Sequence, residues 1–394
     1  MKKGWPIKPL QSLCDDFKQD IVDGPFGSEL QRKDYITEGV PVLKIQNVKP
    51  FAIELKRMDY VSAAKFQELR RHSYRRGDIV MTKLGRPLGV SAIVEDLDEG
   101  VIVADLVRIR AQQINTKYLC YHLNSQRTND FINSMQKGTT RPRVTLSVVR
   151  ELPIYTPPLA EQQRIVGLLD EAFEGLATAN ANAEKNLQNA RALFESHLQS
   201  VFTQRGKGWK RKPLGSLCDL ISGQHIDAKD YNTEGKGVGY LTGPSDFGFL
   251  NPVITKWSEH PKRMAKRGDI LVTVKGSGVG KINLLDAEEV AISRQLMAVR
   301  ATAADVNYLY AFLSTNFDYF QSLSKGAAIP GISREDVLDL MCPMPPPEEQ
   351  QAIVKLIHAM AEETQRLARL YERKLAALEA LKKSLLHQAF TGEL

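Results

Sequence analysis

Pro157-Pro158-Leu159-Ala160-Glu161-Gln162-Gln163-Arg164-Ile165-Val166 is the stretch that decides the fold, because it occurs twice: Pro345-Pro346-Pro347-Glu348-Glu349-Gln350-Gln351-Ala352-Ile353-Val354 repeats it 188 residues later. Each copy reads as the start of a helix. Proline costs nothing in a first turn, where its missing N–H would have no partner anyway. Glu161 and Glu349 then place negative charge at the positive end of the helix dipole. No proline follows before Thr203 in the first copy or Thr391 in the second, and glycine interrupts only at Gly167 and Gly175. A helix of some 40 residues at about 1.5 Å each is a rod of roughly 60 Å.

Working outward, the repeat covers the whole chain. Trp5-x3-Pro9-Leu10-x-Ser12-Leu13-Cys14-Asp15 returns as Trp209-x3-Pro213-Leu214-x-Ser216-Leu217-Cys218-Asp219. Arg76-Gly77-Asp78-Ile79 returns as Arg267-Gly268-Asp269-Ile270, and Lys137-Gly138-x3-Pro142 as Lys325-Gly326-x3-Pro330. Asn115-x2-Tyr118-Leu119 is echoed less closely by Asn307-Tyr308-Leu309. The blocks keep their order, which identifies a globular unit plus a helix, used twice. The predicted division is a first head over 1–155, a central helix over 156–205, a second head over 206–343 and a C-terminal helix over 344–394.

Heptad reading of the second helix gives a seam of Ile353, Ile357, Met360, Thr364, Leu367, Tyr371, Lys374, Leu378, Leu381 and Leu385. The first gives Ile165, Leu169, Ala172, Leu176, Ala179, Ala183, Asn186, Ala190, Leu193 and His197. Large residues on one could fill the space left by alanines on the other, with Asn186 and Lys374 fixing register. With the repeats related by an approximate two-fold, the helices pair antiparallel as a coiled coil, and Leu394 comes back to the first head.

Both heads read as α+β with a twisted, largely antiparallel sheet. Strand patterns fall at 40–45, 78–82, 92–94 and 106–109, and again at 268–274 and 296–300. Helical periodicity appears at 118–126 and 308–313. The turn-rich loops are the candidate recognition elements, since base reading needs side chains held on rigid edges. Asp23-Gly24-Pro25-Phe26-Gly27-Ser28 offers an aromatic, Phe26, and a hydroxyl, Ser28. Lys83-Leu84-Gly85-Arg86-Pro87-Leu88-Gly89 is matched with Lys275-Gly276-Ser277-Gly278-Val279-Gly280-Lys281, and Lys83, Arg86, Lys275, Ser277 and Lys281 are taken as DNA contacts. Lys137-Gly138-Thr139-Thr140-Arg141-Pro142-Arg143 adds Lys137, Thr139, Thr140, Arg141 and Arg143; the second head contributes Lys325 and Gln224. Arginine contacts to guanine or phosphate are the expected mode.

The 394 residues are 43% hydrophobic and 25% charged, as expected of globular domains, and no run approaches the roughly 18 apolar residues of a membrane span. Met1-Lys2-Lys3-Gly4-Trp5-Pro6 lacks the apolar core of a signal peptide, so a cytoplasmic location is expected. Cys14, Cys120, Cys218 and Cys342 stand far apart and read as free thiols. Residues 1–155 carry 25 Lys/Arg against 18 Asp/Glu and 206–343 carry 17 against 15, whereas 156–205 carry 4 against 6 and 344–394 carry 7 against 7. A basic excess confined to the heads suits phosphate contact there.

Catalytic signatures fail on inspection. Lys275 stands where a phosphate loop needs glycine and Ile282 where it needs serine or threonine. Asp23-Gly24-Pro25-Phe26 has glycine where the amino-methyltransferase signature has proline, and the seven histidines are scattered without metal-ligand spacing. The alternatives kept open are a stand-alone DNA methyltransferase or nuclease, and a coiled-coil adaptor without DNA affinity.

The Asp-Gly-Pro-Phe-Gly-Ser loop, the Arg-Gly-Asp-Ile run and the duplicated Glu-Gln-Gln helix entry together make the chain resemble the specificity subunits of type I restriction–modification enzymes. The resemblance implies two target-recognition domains joined by two conserved helices, each domain reading one half of a split site on double-stranded DNA. It also implies two methyltransferase subunits docked on the helices and, in some systems, motor–nuclease restriction subunits. S-adenosylmethionine, ATP and Mg²⁺ would belong to those partners, with no cofactor or metal on this chain. Ser222-Gly223-Gln224 stands in the second head where the first has its Gly-Pro-Phe loop, so two unlike half-sites and an asymmetric site are expected.

Overall fold

The computed structural model describes residues 4–138, 140–203, 208–248, 251–326 and 329–394. It divides into two compact units: one of 1–183 with 373–394, the other of 184–372. Each unit therefore takes one head together with part of both long helices, which run Leu159–Thr203 and Pro347–Thr391.

Within the first head, two sheets replace the single one expected. An antiparallel sheet runs in the order Ser91–Ile93, Ile79–Thr82, Leu106–Ile109, Ile21–Asp23. A five-stranded sheet runs Tyr35–Ile36, Asp59–Val61, Val40–Leu43, Glu99–Ile102, Ser73–Arg75, and its Val40–Leu43 and Glu99–Ile102 pair is parallel. The second head repeats this. Cys218–Ser222, Leu296–Ala301, Ile270–Thr273 and Ile282–Leu284 form the antiparallel sheet. Trp257–Ser258, Val238–Leu241, Glu289–Ile292 and Met264–Lys266 form the mixed one, again with one parallel pair. A parallel neighbour requires a long crossover, which periodicity within single strands does not reveal.

The repeated motifs turn out to be structural joints. Ile7–Pro9 pairs with Pro153–Tyr155, and Lys210–Pro213 with Met341–Met344, so the start of each head is zipped to the strand that enters its helix. The Leu10 and Leu214 side chains that follow are fully buried. In the Arg-Gly-Asp-Ile runs, Gly77 (φ 88°) and Gly268 (φ 87°) take the left-handed conformation that glycine adopts without penalty. The next residue, Asp78 or Asp269, is buried and accepts two hydrogen bonds from a guanidinium, Arg110 (both 2.7 Å) or Arg300 (2.9 and 2.7 Å). Each carboxylate holds its arginine above the ordinary pKa. These fork-to-fork pairs lock the turn onto the antiparallel sheet.

Helix entry has the same logic. Gln162 is buried, accepts from Asn115 N (2.9 Å) and donates to Pro157 O (2.8 Å); Gln350 does the same with Asp305 N (3.2 Å) and Pro345 O (2.9 Å). Asn115 and Asp305 cap the helices Thr116–Leu123 and Val306–Ser314. One amide therefore ties the first turn of each long helix to the cap of a head helix.

Each unit also seats the far end of the other helix. In the first, Ile165 and Leu169 share a core with Leu386, Ala389 and Phe390, and Arg164 Nη2 donates to Leu394 O at 2.9 Å, so the chain's last residue lies at the first head as expected. In the second, Leu198 shares a core with Ile357, and Arg191 pairs with Glu372 at 3.3 Å. Phe390 packs edge-on against Tyr118 and His122; Phe202 does so against Tyr308 and Phe312.

The strict heptad seam needs correction. Ile165, Leu169, Leu176, Ala183 and Ile357 are buried, and Ile353, Met360, Leu367 and Leu378 are half-buried. Asn186 and Lys374, read as register-setting, are exposed, as are Leu193 (68%) and Leu381 (47%). The covered positions run Ala183, Leu187, Ala190, Phe194, Leu198 in one helix and Tyr371, Leu375, Leu378, Lys382, Leu385 in the other. With 3.6 residues per turn, a strict seven-residue pattern drifts about 20° per heptad, and extra steps of four keep the stripe on one face.

Candidate nucleic-acid interface

In the first head, three predicted loops meet around Asp105. Lys83 N donates to Asp105 O at 2.9 Å, Gly24 N to the adjacent Leu106 O at 3.2 Å, and Arg141 Nη2 to the Asp105 carboxylate at 3.1 Å. Lys137 and Arg143 exchange reciprocal backbone bonds, both 2.9 Å, which closes the turn between them. That turn is stitched to the neighbouring loop by Gly85 N to Pro142 O (2.8 Å) and Val144 N to Lys83 O (2.9 Å).

The second head builds the same scaffold. Lys325 and Gly331 exchange bonds of 3.0 Å, Gly276 N donates to Pro330 O at 2.8 Å, and Ile332 N to Val274 O at 3.0 Å. This shifts the sequence matching by one residue. The backbone partner of Lys83 is Val274, not Lys275, because Val274 N donates to Gln295 O (2.8 Å) as Lys83 N does to Asp105 O. Lys275 instead faces Gly331 as Leu84 faces Arg143. Aligning the two loops on their lysines, Lys83 and Lys275, gives the wrong register, because Lys83 stands two residues before its glycine and Lys275 one.

Side chains on this shared scaffold differ. Arg86 corresponds to Ser277, Arg141 to Ile329, Arg143 to Gly331 and Asp105 to Gln295. Lys83 is half-buried and its Nζ lies 2.5 Å from Asp23 Oδ2, so that cation braces the loop. Arg86, Lys137, Thr140, Arg141 and Arg143 are exposed in the first head, as are Gln224, Lys275, Ser277, Lys281 and Lys325 in the second. Thr139 lies outside the described residues. Phe26 and Ser28 are exposed on the loop that follows Asp23. Arg86 also lines a cleft of about 920 Å³ with Asn129, Asn133, Lys382 and Lys383. The sum is a rigid backbone edge presenting cations, hydroxyls and amides, the set that contacts phosphates and base edges.

Buried groups beneath the edge are structural. Arg108 donates to Ser73 O (2.8 Å) and to Gln19 O, and burial lowers its pKa to about 10. All four cysteines are free and buried, which raises the Cys14, Cys120 and Cys342 thiols to about 12. Among the described residues, no group of three or more His, Cys, Asp or Glu is placed to hold a metal ion, and no helix is long and apolar enough to cross a membrane.

The family model for the type I restriction modification DNA specificity domain matches residues 93–188 and 206–373, more than half of the chain and once in each repeat. The chain belongs to the family of type I restriction–modification specificity subunits. A specificity subunit is the non-catalytic, recognition member of such a system. Among curated relatives, the putative type I restriction enzyme MjaX specificity subunit of Methanocaldococcus jannaschii is 24% identical over 99% of this chain and 93% of its own length. The EcoDI specificity subunit of Escherichia coli is 27% identical over 43% of this chain and 36% of its own. A chain solved in work on complex assembly and conformational transition of the type I R-M system superposes with a TM-score of 0.82 at 25% identity, covering 100% of this chain and 99% of that one. The HsdS subunit from Thermoanaerobacter tengcongensis gives 0.64 at 26%, covering 100% and 98%.

Sequence reading missed three functional supports: the buried Gln162 and Gln350, the phenylalanine seats Phe202 and Phe390, and the Asp23 and Asp105 carboxylates that brace Lys83 and Arg141. The first was signalled by its duplication. The carboxylates were not, because their partners are remote in the chain.

Proposed function

We propose that this specificity subunit reads a bipartite, asymmetric site on double-stranded DNA, each head reading one half. The two long helices, paired antiparallel as a coiled coil, set the unread spacer and dock two methyltransferase subunits, with motor–nuclease subunits able to join. The observation that carries the reading is the loop-and-turn scaffold held by equivalent backbone bonds in both heads but dressed with different side chains. A shared scaffold fixes how an edge meets a groove; different side chains on it select different bases. Support for pairing comes from the cores that join Ile165 and Leu169 to Leu386 and Phe390, and Leu198 to Ile357. Support for docking comes from exposed leucines on the long helices, Leu168, Leu193, Leu356, Leu370 and Leu381. Partner surfaces leave such residues uncovered in the lone chain.

The test is a loop graft. Replacing 137–143 with 325–331, and Arg86 with Ser, in cells carrying the methyltransferase subunit should change one half of the methylated motif and leave the other half and the spacer intact. A change in both halves, or in neither, would remove the one-head, one-half assignment. A gel shift with the assembled complex distinguishes the adaptor reading, which predicts no preference for the motif.

A further inference from the structure

Gly24 and Gly223 are among the glycines that admit no side chain. A Cβ on Gly24 would lie 2.1 Å from the carbonyl carbon of Val103, and one on Gly223 would lie 2.0 Å from Ser293 O. Both glycines donate their N–H to the first residue of the central strand, Leu106 O (3.2 Å) and Leu296 O (3.0 Å), so they are the same position in the two heads. Two residues on, each head turns a ring toward solvent: Phe26, 74% exposed, and His225, its side chain 55% exposed with Nε2 3.5 Å from the exposed Asp227 carboxylate.

The backbone that carries each ring is pinned. Phe26 N donates to the Glu29 carboxylate at 2.8 Å, and Phe26 O accepts from Glu29 N at 2.9 Å and Leu30 N at 3.3 Å, while Pro25 before it is buried. His225 O accepts from Lys262 Nζ at 3.2 Å, and Ile226 after it is buried, its N–H held by the Tyr240 hydroxyl at 3.2 Å. Cations border both roots, Lys83 on Asp23 in one head and Arg334 on Ser222 (2.7 Å) in the other. A phenyl ring left in water on a fixed backbone gains nothing for the fold. Planar faces beside cations are how proteins hold unstacked bases, because every base has a π-face and stacking is tolerant of its identity.

On the reading of the heads as DNA readers, we infer that Phe26 and His225 stack on a base of the duplex, one ring per half-site, at a step the bound complex unstacks. The aromatic plane is the shared feature, so this contact positions the half-site, and the neighbouring loops read it. Neither ring touches a phosphate in this arrangement, so the salt dependence of binding belongs to the lysines and arginines alone.

The experiment uses the full chain assembled with its methyltransferase subunits and duplexes carrying the motif that the complex methylates. 2-Aminopurine is placed in turn at each half-site position other than the methylated adenine. One position per half should brighten on binding. Phe26→Ala should abolish the signal in one half only and weaken binding roughly 5- to 150-fold, Phe26→Trp should restore both, and His225→Ala should act on the other half. The slope of log K against log salt should stay as in the parent complex. Because both side chains are exposed, folding is checked by an unchanged thermal midpoint. Alanine variants with parental affinity and fluorescence overturn the inference, as does the absence of any brightened position. Variants that shed the methyltransferase without DNA present also overturn it, assigning the rings to a protein interface. A parental complex with no preference for the motif over scrambled DNA would instead fail the DNA-reading account, and this inference with it.

Discussion

His122 and Phe312 occupy equivalent places in the two heads, and the exchange has a local cause. The His122 ring accepts from Tyr155 N at 3.2 Å and contacts the Thr128 hydroxyl at 3.2 Å, while Phe390 covers it. In the second head the residue corresponding to Tyr155 is Pro343, which has no N–H to satisfy, and phenylalanine suffices. Burial lowers the His122 pKa to about 3. The neutral ring therefore stabilises the first unit fully above the unfolded value of about 6.5, and that contribution is lost as pH falls from there toward 3, because the unfolded chain takes up the proton first. His122→Phe should flatten this acid limb in denaturant titrations at pH 7 and 5, and at pH 7 cost about 1–3 kcal/mol for a buried N–H left without an acceptor. An unchanged acid limb would show that other groups govern it. Gln162→Ala tests the helix joint: the buried Pro157 carbonyl and the half-buried Asn115 N–H lose their partner, so a similar loss of stability should appear in the first unit, and Gln350→Ala should place it in the second.

At the scale of elements, much was legible because the repeat marks the joints twice. Both helix starts were readable from proline and glutamate chemistry, and from short β-rich runs between turns so were the strands Val40–Leu43, Ile79–Thr82, Ser91–Ile93, Leu106–Ile109, Ile270–Thr273 and Leu296–Ala301, but not the others around them. The split of each head into two sheets was not readable, since it depends on the parallel pairing of strands far apart in the chain, Val40–Leu43 with Glu99–Ile102, where Val42 faces Val101. The seam was readable in its character but not its phase, because leucines at 193 and 381 continue a heptad that the 3.6-residue turn carries off the covered face. Leu193→Gln and Leu381→Gln should thus change the stability of the lone chain by no more than about 0.5 kcal/mol. Phe202→Ala and Phe390→Ala, each emptying an aromatic seat, should cost about 3–5 kcal/mol. Equal effects from the two pairs, read by chemical denaturation, would return the seam to the strict heptad.

For the whole molecule, the candidate site was legible as a set of loops and not as an address for each side chain. Gly, Lys and Arg at repeated places located the edge; the one-residue offset that matches Lys83 with Val274 needed the backbone bonds. What joins the scales is the duplication itself, which on the proposed function makes one reader into two and gives them a pair of helices as a ruler. Lengthening that ruler is the most direct trial. Inserting four residues at matched points in both long helices adds about 6 Å, close to two base pairs at about 3.4 Å each. Methylome sequencing of cells carrying the methyltransferase subunit and this variant should show both half-motifs unaltered and the gap between them longer by about two base pairs. The same motif with its original gap, or new half-motifs at the original distance, would contradict the account.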